Sequence, residues 1–355
     1  AAAAAVATAA APHPERPWLS VLIPAHNAGP YLAEALQSVT SQLDGRAEVI
    51  VFDDGSTDHT AQVLAQWAAA SEGQLSVGAQ PTIRVMRAEG GVAVGVSAAR
   101  NALLDAARGQ WLWFLDADDR LRPGAVAQVQ QLLTRQPDLQ AVVVDHAVWR
   151  ASPRLKHRLR GEAHRLSLPY SAGAIPTGPA LMHGLMACGQ WHVWGKLVRA
   201  DAWPLDLRFP LGRVFEDLSV VPRLMSGIQR AWYLREPLVD YRSNPGSILG
   251  SMSAAKVQQW AQALDDLAGA PGFDAAWADF VAQQALRMAK VGQRLALPNP
   301  QVWWIALCAT QPLVRRAVQA WRLQPRRWPA WIRARQMGWI GDQTEAVEPP
   351  PRGGV

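Results

Sequence analysis

The chain has 355 residues, of which 49% are apolar and 18% are charged, and its formal net charge is +6. This composition predicts a globular protein with one large domain or two modest ones, and it excludes an intrinsically disordered chain. The two cysteines, Cys188 and Cys308, are too far apart for a disulfide framework or a zinc-binding motif, which favours a reducing, cytoplasmic location.

Residues 1–17 are rich in alanine and proline. They lack the basic and leucine-rich regions of a signal peptide, so we expect a disordered leader. No stretch of the sequence stays apolar over the length that a membrane-spanning helix requires.

Short apolar runs alternate with segments of helical periodicity from residue 19 onward. The apolar runs are 19–24, 48–52, 82–86, 111–115 and 140–144, and the helical segments are 31–42, 60–70, 96–107 and 124–135. This alternation, with short connections, predicts a mostly parallel sheet with right-handed crossovers and flanking helices. We therefore interpret residues 18–145 as a Rossmann-like nucleotide-binding half.

Two of the predicted strands end in acidic residues. Asp53 and Asp54 follow the second strand, and Asp116, Asp118 and Asp119 follow the fourth. The carboxyl ends of parallel strands meet at one edge of the sheet, which is where open α/β folds bind ligands. Closely spaced carboxylates suit Mg²⁺ or Mn²⁺, which prefer oxygen ligands. The alternative is that the last two acids cap a helix beginning near residue 123.

The sequence has no glycine-rich dinucleotide motif after the first strand and no phosphate-binding P-loop. An acidic site without a lysine-containing phosphate loop would bind a nucleoside diphosphate through a metal ion, with Arg100 as a helper.

Four segments closely resemble the ordered motifs of glycosyltransferase family 2. They are Val21–Asn27 (VLIPAHN), Val51–Asp58 (VFDDGSTD), Gly95–Asn101 (GVSAARN) and Phe114–Asp119 (FLDADD). The segments Trp194–Leu197 and Phe215–Asp217 are similar to the family more loosely. The resemblance implies a GT-A fold and the inverting transfer of a sugar from a nucleotide diphosphate sugar, UDP-linked, to a hydroxyl group.

The resemblance also implies residue roles. The nucleotide-sugar site would comprise Pro24, His26, Asn27, Asp53, Asp54, Arg100, Asp116, Ala117 and Asp118, with Asp54 on the uracil ring. Asp118 and Asp119 would bind Mn²⁺ or Mg²⁺. Asp217 would be the catalytic base, with Trp194, Lys196 and Glu216 on the acceptor side. The family usually has an aromatic residue, often tyrosine, where this chain has His26, which puts the choice of nucleobase in doubt.

Two candidate residues have simpler interpretations. Asp217 lies at the start of a predicted helix over 218–225, so the residues alone favour a helix cap, whereas the resemblance favours a base. His192 flanks Trp194, and we interpret it as a packed or surface histidine, with an acceptor-site role as the alternative.

The segment 301–340 has no acidic residue but contains seven arginines and six tryptophans. Basic helices with tryptophan at the boundary are typical of in-plane membrane anchors. The alternative is a helix that packs on the catalytic domain. Binding to nucleic acid is not favoured, because it would leave the acidic clusters unexplained.

The predicted organisation beyond the first half is an acceptor-side half over 146–250, a helical C-terminal region over 251–340 and a disordered tail over 341–355. We expect a glycan or a lipid-linked acceptor, in polysaccharide or cell-surface glycan biosynthesis, at the inner face of the cell membrane. Two alternatives remain. One is a sugar nucleotidyltransferase, although residues 25–30 lack the glycine-rich, basic loop that such enzymes usually carry. The other is a catalytically inactive glycan-binding or scaffold protein.

Overall fold

A computed structural model describes residues 16–73, 81–150, 164–243 and 253–268, together with six residues between 280 and 288. The predicted leader (apart from residues 16 and 17), the basic segment 301–340 and the predicted tail lie outside the described residues.

The described residues form ten strands that share one sheet. They are β1 (Leu19–Ala25), β2 (Ala47–Asp53), β3 (Thr82–Arg87), β4 (Trp111–Phe114), β5 (Arg120–Leu121), β6 (Ala141–Trp149), β7 (His164–Arg165), β8 (Gly173–Ile175), β9 (Lys196–Arg199) and β10 (Ala231–Arg242).

Seven α-helices lie in the same part of the chain. They are α1 (Gly29–Thr40), α2 (Thr60–Gly73), α3 (Val96–Ala106), α4 (Ala125–Arg135), α5 (Pro179–Cys188), α6 (Glu216–Gly227) and α7 (Ala254–Ala268). None of these described helices combines the length and the apolar character needed to cross a bilayer.

The main path of the sheet runs β3-β2-β1-β4-β9-β6-β10-β5, with β7 beside β6 and β8 beside β10. The first four strands on this path are parallel to one another. β9 then enters antiparallel to both β4 and β6, so the sheet as a whole is mixed. The predicted α/β architecture is confirmed, and the strands that precede the sequence motifs, β1, β2 and β4, lie among the parallel strands.

The parallel strands β1 and β2 lie in the interior of the sheet. Every residue of β2 is buried, as is nearly every residue of β1, as expected for interior strands covered on two sides. Helix α3 packs against these two strands. Helix α1 begins with Pro30 in its first turn, and it buries Leu32, Leu36 and Val39 along one face.

The second half of the chain completes the same sheet. Strand β6 crosses the predicted boundary at residue 145, and β9 and β10 pair with it on either side. The two halves therefore share a sheet, and residues from both meet beyond the carboxyl ends of β1 and β4.

Candidate functional site

Asn27 joins the turns that follow β1 and β2 by hydrogen bonds. This residue has a left-handed backbone conformation, with φ at 49°, which asparagine tolerates better than most residues. Its Oδ1 accepts the backbone N–H of Thr57 at 2.9 Å, and its own N–H donates to Ser56 Oγ at 3.0 Å. Asn27 thus joins the first two sequence motifs and fixes the backbone beside His26.

The ring of His26 is oriented by two hydrogen bonds. Its Nδ1 lies 2.6 Å from the carbonyl oxygen of Asp54, and its Nε2 lies 3.1 Å from the side-chain amide of Asn27. A carbonyl oxygen can only accept, so Nδ1 carries the proton and Nε2 accepts from the amide. The ring is exposed, and an imidazole fixed in this way offers a face for a planar ligand.

The carboxylate of Asp54 is buried and holds a neighbouring loop. Its Oδ1 accepts the backbone N–H of Val94 at 2.6 Å, and its Oδ2 accepts that of Gly95 at 2.9 Å. The loop itself, residues 89–95, is exposed throughout. We call His26, Asn27, Asp54 and the loop 89–95 the backbone-held cluster, because main-chain groups satisfy its side chains.

Asp53 and Gly55 support the same turn. Asp53 is buried, and its Oδ1 accepts the backbone N–H of Ser56 at 3.1 Å. Gly55 has φ at 61°, and a Cβ added there would lie 2.5 Å from the backbone nitrogen of Ala93. Only glycine fits this contact between the turn and the loop.

The acidic motif after β4 forms a turn in which the N–H of Asp119 donates to the carbonyl of Asp116 at 3.0 Å. Asp116 and Asp118 are half-buried, whereas Ala117 and Asp119 are buried. Helix α4 begins only at Ala125, after a left-handed glycine. The acids therefore do not cap this helix, which removes the simpler interpretation of the motif.

The end of β10 is attached to this acidic turn by Arg242. The backbone N–H of Arg242 donates to Asp119 Oδ1, and its Nε donates to the carbonyl of Asp118, both at 2.7 Å. Its Nη2 reaches Glu34 on α1 at 2.6 Å, and its guanidinium lies 3.7 Å from the ring centre of Trp149. Arg242 thus fixes the position of the acids from across the sheet.

The acidic turn suits a divalent cation only together with further ligands. No three His, Cys, Asp or Glu side chains within the described ranges are arranged as a metal site. However, Asp119 Oδ2 is buried and has no hydrogen-bond partner among the described residues. Burial, with the nearby charges of Asp116 and Asp118, raises the pKa of Asp119 well above its usual value. Because Mg²⁺ often binds one or two carboxylates together with substrate phosphates, the turn fits a cation that is shared with a diphosphate.

Arg100, on α3, joins the acidic motif to the start of α6. Its Nη2 donates to Asp116 Oδ1 at 2.9 Å, and its Nη1 donates to Asp217 Oδ1 at 3.1 Å and also to Glu216. The side chain is buried. Burial alone would lower the pKa of Arg100, but the carboxylates of Asp217, Glu216 and Asp116 raise it. We call these four residues the ion-pair cluster.

Glu216 and Asp217 differ in what they could contact. Glu216 is buried, and burial raises its pKa to about 7 despite the neighbouring Arg100. The side chain of Asp217 remains 14% exposed, and its Oδ2 accepts the backbone N–H of Val193 at 3.1 Å. The N-cap position of α6 is Phe215, which has a left-handed conformation and makes no side-chain capping bond. Asp217 is therefore the acid of this pair that a ligand can reach.

Lys196 supports the turn that contacts Asp217. Its Nζ is buried and donates to the carbonyls of Gln190 and His192, each at 2.8 Å. Burial lowers its pKa to about 7. The two hydrogen bonds of Lys196 hold the turn that contacts Asp217, and its predicted place on the acceptor side stays a prediction.

Four rings pack together beside this turn, and we call His146, His192, Trp194 and Tyr241 the aromatic cluster. His192 and Trp194 are parallel, with ring centres 4.8 Å apart and an interplanar angle of 9°. Tyr241 stacks on Trp194 at 5.7 Å, and His146 meets Trp194 edge-on at 4.9 Å. Burial, with the nearby His192, lowers the pKa of His146 to about 2, so this ring is neutral.

The structure thus brings the residues implied by the resemblance to one edge of the sheet, in two groups. Pro24, half-buried near the end of β1, and the backbone-held cluster form one group, and the acidic turn with the ion-pair cluster forms the other. Tyr241 and Arg242 follow an apolar run, and the resemblance implies that such a segment lines the active site, with an ordinary loop as the alternative. The bonds of Arg242 to the acidic turn were not predicted.

Comparison with known proteins finds similarity over part of the chain. Residues 20–185 match the model described as "Glycosyl transferase family 2". The chain is 24% identical over 249 residues to glycosyltransferase GlyA of Streptococcus pneumoniae serotype 4, an alignment that covers 70% of this chain and 33% of GlyA. The chain therefore spans about a third of the length of that relative.

Solved structures show the same fold. Residues 1–349 of Staphylococcus aureus TarS, in complex with UDP-GlcNAc, superpose with a TM-score of 0.61 at 17% identity, over 83% of this chain and 81% of that one. The mannosyltransferase PcManGT from Pyrobaculum calidifontis, in complex with GDP-Man and Mn²⁺, gives 0.51 at 18% identity, over 94% and 90%. The predicted GT-A fold is confirmed.

Proposed function

We propose that the chain, whose residues 20–185 match the model of glycosyltransferase family 2, is an inverting, metal-dependent glycosyltransferase. It would transfer a sugar from a nucleotide diphosphate donor, UDP-linked, to a hydroxyl group of a glycan or a lipid-linked acceptor. One observation carries this proposal. Arg100 contacts both Asp116 of the acidic motif and Asp217 at the start of α6, so the two acidic sites lie within reach of one side chain.

On the donor side, the exposed face of His26 suits a stacked base, and the acidic turn suits a diphosphate with its cation. Asp118 and Asp119 would hold Mn²⁺ or Mg²⁺, which supplies positive charge opposite the departing diphosphate when it is bound. Arg100 already donates to three carboxylates. Its role is therefore to position Asp116 and Asp217 rather than to neutralise the diphosphate directly.

On the acceptor side, Asp217 would take the proton of the attacking hydroxyl. The acceptor oxygen would form a bond to the anomeric carbon while the bond from that carbon to the diphosphate breaks, and the diphosphate would leave with the electron pair. A single displacement inverts the anomeric centre and requires a base but no enzyme nucleophile. Arg100 and the N–H of Val193 each bond one oxygen of Asp217. Because a carboxylate has about four lone-pair positions, it can still accept the proton.

The choice of UDP is supported by the resemblance and by the ligand bound to TarS. The ligand bound to PcManGT is GDP-Man, so GDP is the natural comparison. The expected membrane contact and cytoplasmic location stay predictions, because the segment 301–340 lies outside the described residues.

The test is calorimetric titration of the protein with UDP and with GDP, each with and without Mn²⁺. We expect UDP to bind only with the metal, and Asp118→Ala to abolish binding. Asp138→Ala is the control, since Asp138 is 77% exposed on the surface. Binding of GDP but not UDP would mean that the donor is a GDP-linked sugar. Absence of binding by either nucleotide would refute the proposal and favour a glycan-binding protein.

The sugar nucleotidyltransferase alternative is separated by the products. Such an enzyme would release pyrophosphate from UTP and a sugar phosphate. The proposed enzyme would release UDP from a UDP-sugar, and Asp217→Asn would abolish transfer while UDP binding persists.

A further inference from the structure

We propose that His192 is the stacking platform for a sugar ring of the acceptor, and therefore that the acceptor is a carbohydrate at its reacting end. This inference rests on the proposed function and identifies the class of its second substrate. It does not follow from the acidic motifs, which concern the donor. The aromatic cluster carries it.

His192 stays accessible although two other rings lie nearly parallel to it. Trp194, which is buried, lies 4.8 Å from the imidazole, and Tyr241 lies 6.0 Å from it with an interplanar angle of 25°. His192 is exposed to solvent, although protein atoms surround it closely enough to lower its pKa. The imidazole is therefore a solvent-accessible ring that packs against two other aromatic rings.

The ring also lies beside the candidate base. Its neighbour in sequence, Val193, donates its backbone N–H to Asp217. The charges of Asp217 and Asp116 both act on the imidazole. A sugar stacked on His192 would therefore have a hydroxyl near Asp217, as nucleophilic attack requires.

The platform is rigid before any ligand binds. The carbonyl of His192 accepts Lys196 Nζ at 2.8 Å, and the carbonyl of Trp194 accepts the indole N–H of Trp113 at 2.9 Å. Tyr241 supports Trp194 from the end of β10. A preformed aromatic surface binds without the entropic cost of ordering side chains.

The surrounding charges favour a neutral sugar over a phosphate-containing chain. The acidic groups of Asp116, Glu216 and Asp217 outnumber Arg100, which is paired with all three, and Lys196 donates to backbone carbonyls. A phosphate at this position would meet net negative charge. The apolar C–H face of a pyranose ring, in contrast, loses water favourably against an aromatic face.

Saturation-transfer NMR tests the inference with defined probes. The methyl glycosides of glucose, galactose and N-acetylglucosamine are compared with sorbitol and glycerol 1-phosphate, in the presence of UDP and Mn²⁺. We expect transfer to the ring protons on one face of at least one glycoside. Transfer should fall about tenfold in His192→Ala and should be restored in His192→Phe, which keeps an aromatic face without the ring nitrogens.

Several outcomes would overturn the inference. They are absence of transfer to all three glycosides, equal transfer to an open-chain probe, and unchanged transfer in His192→Ala. Loss of transfer in both His192 variants would mean that a ring nitrogen, not the aromatic face, makes the contact. His59→Ala, an exposed histidine on the surface, is the control and should behave as wild type.

Calorimetry with UDP separates this inference from the proposed function. Glycoside binding that depends on His192 in a protein that binds no nucleotide would leave the platform standing and refute the transferase. Nucleotide binding without glycoside binding would refute the stacking role of His192 and leave the proposed transferase function supported.

Discussion

The two groups of acidic residues at this site are stabilised in different ways. In the backbone-held cluster, Asp54 accepts two N–H groups from an exposed loop. In the ion-pair cluster, one buried guanidinium serves three carboxylates, two of which lie more than a hundred residues away in sequence. The first arrangement distributes its bonds over the main chain, whereas the second depends on a single side chain. Substitution in the second should therefore have the larger effect.

Arg100→Ala gives the sharpest comparison and the largest expected effect. Removing the buried cation leaves uncompensated carboxylates, which costs about 3–5 kcal/mol in the free energy of unfolding. Sugar transfer should also be lost. Chemical denaturation measures the free energy of unfolding, and product formation measures sugar transfer. The matched substitution near the other group is Arg87→Ala, because Arg87 is 57% exposed and 4.0 Å from Asp53; it should cost below about 1 kcal/mol. Equal losses in the free energy of unfolding for Arg100→Ala and Arg87→Ala would contradict the proposed difference between the two groups.

Gly55→Ala tests the backbone-held cluster. The added Cβ would meet Ala93 at 2.5 Å in a left-handed conformation, so the loop must move. We expect a loss of about 1–3 kcal/mol beyond the cost of the conformation itself, with weaker UDP binding. Gly90→Ala is the control, because Gly90 has φ at 65° and no atom within 4 Å of an added Cβ. Urea denaturation of both variants separates the clash from the backbone strain, and similar losses would contradict the proposed contact.

A smaller effect should appear in the pH dependence of stability. Burial raises the pKa of Glu216 to about 7, so the native state retains a proton that the unfolded state loses from about pH 4.5 upward. The free energy of unfolding should therefore fall between about pH 4.5 and 7, by at most about 1.4 kcal/mol per pH unit from this group. Glu216→Gln should flatten this slope, whereas Glu236→Gln, at an exposed position of β10, should not. An identical slope in both variants would exclude Glu216 as its source.

The strands that can be recognised from their own residues were predicted correctly. β1, β2 and β4 are apolar runs that end in motif residues, and their approximate bounds followed from the sequence. β9 did not, because a four-residue strand is defined by its partners, and Leu197 pairs with Trp113 and Val142. Nothing near Leu197 in the sequence indicates those contacts.

The same limit applies to the site. Which motifs lie at the sheet edge could be predicted, since the carboxyl ends of parallel strands converge. The bonds of Arg242 to Asp118 and Asp119 could not, because they depend on the register of β10 against its neighbours and on the irregularity at Pro237. The roles assigned to individual residues stay predictions until the variants are measured.

The position of Arg100 couples the binding of the two substrates. A ligand that changes how Asp116 bonds to this guanidinium also changes the surroundings of Asp217, because one guanidinium serves both. Two ligands that bind at linked sites alter each other's affinity by the same factor, whichever binds first. We therefore expect the donor and the acceptor to bind cooperatively, with the sign of the cooperativity set by Arg100.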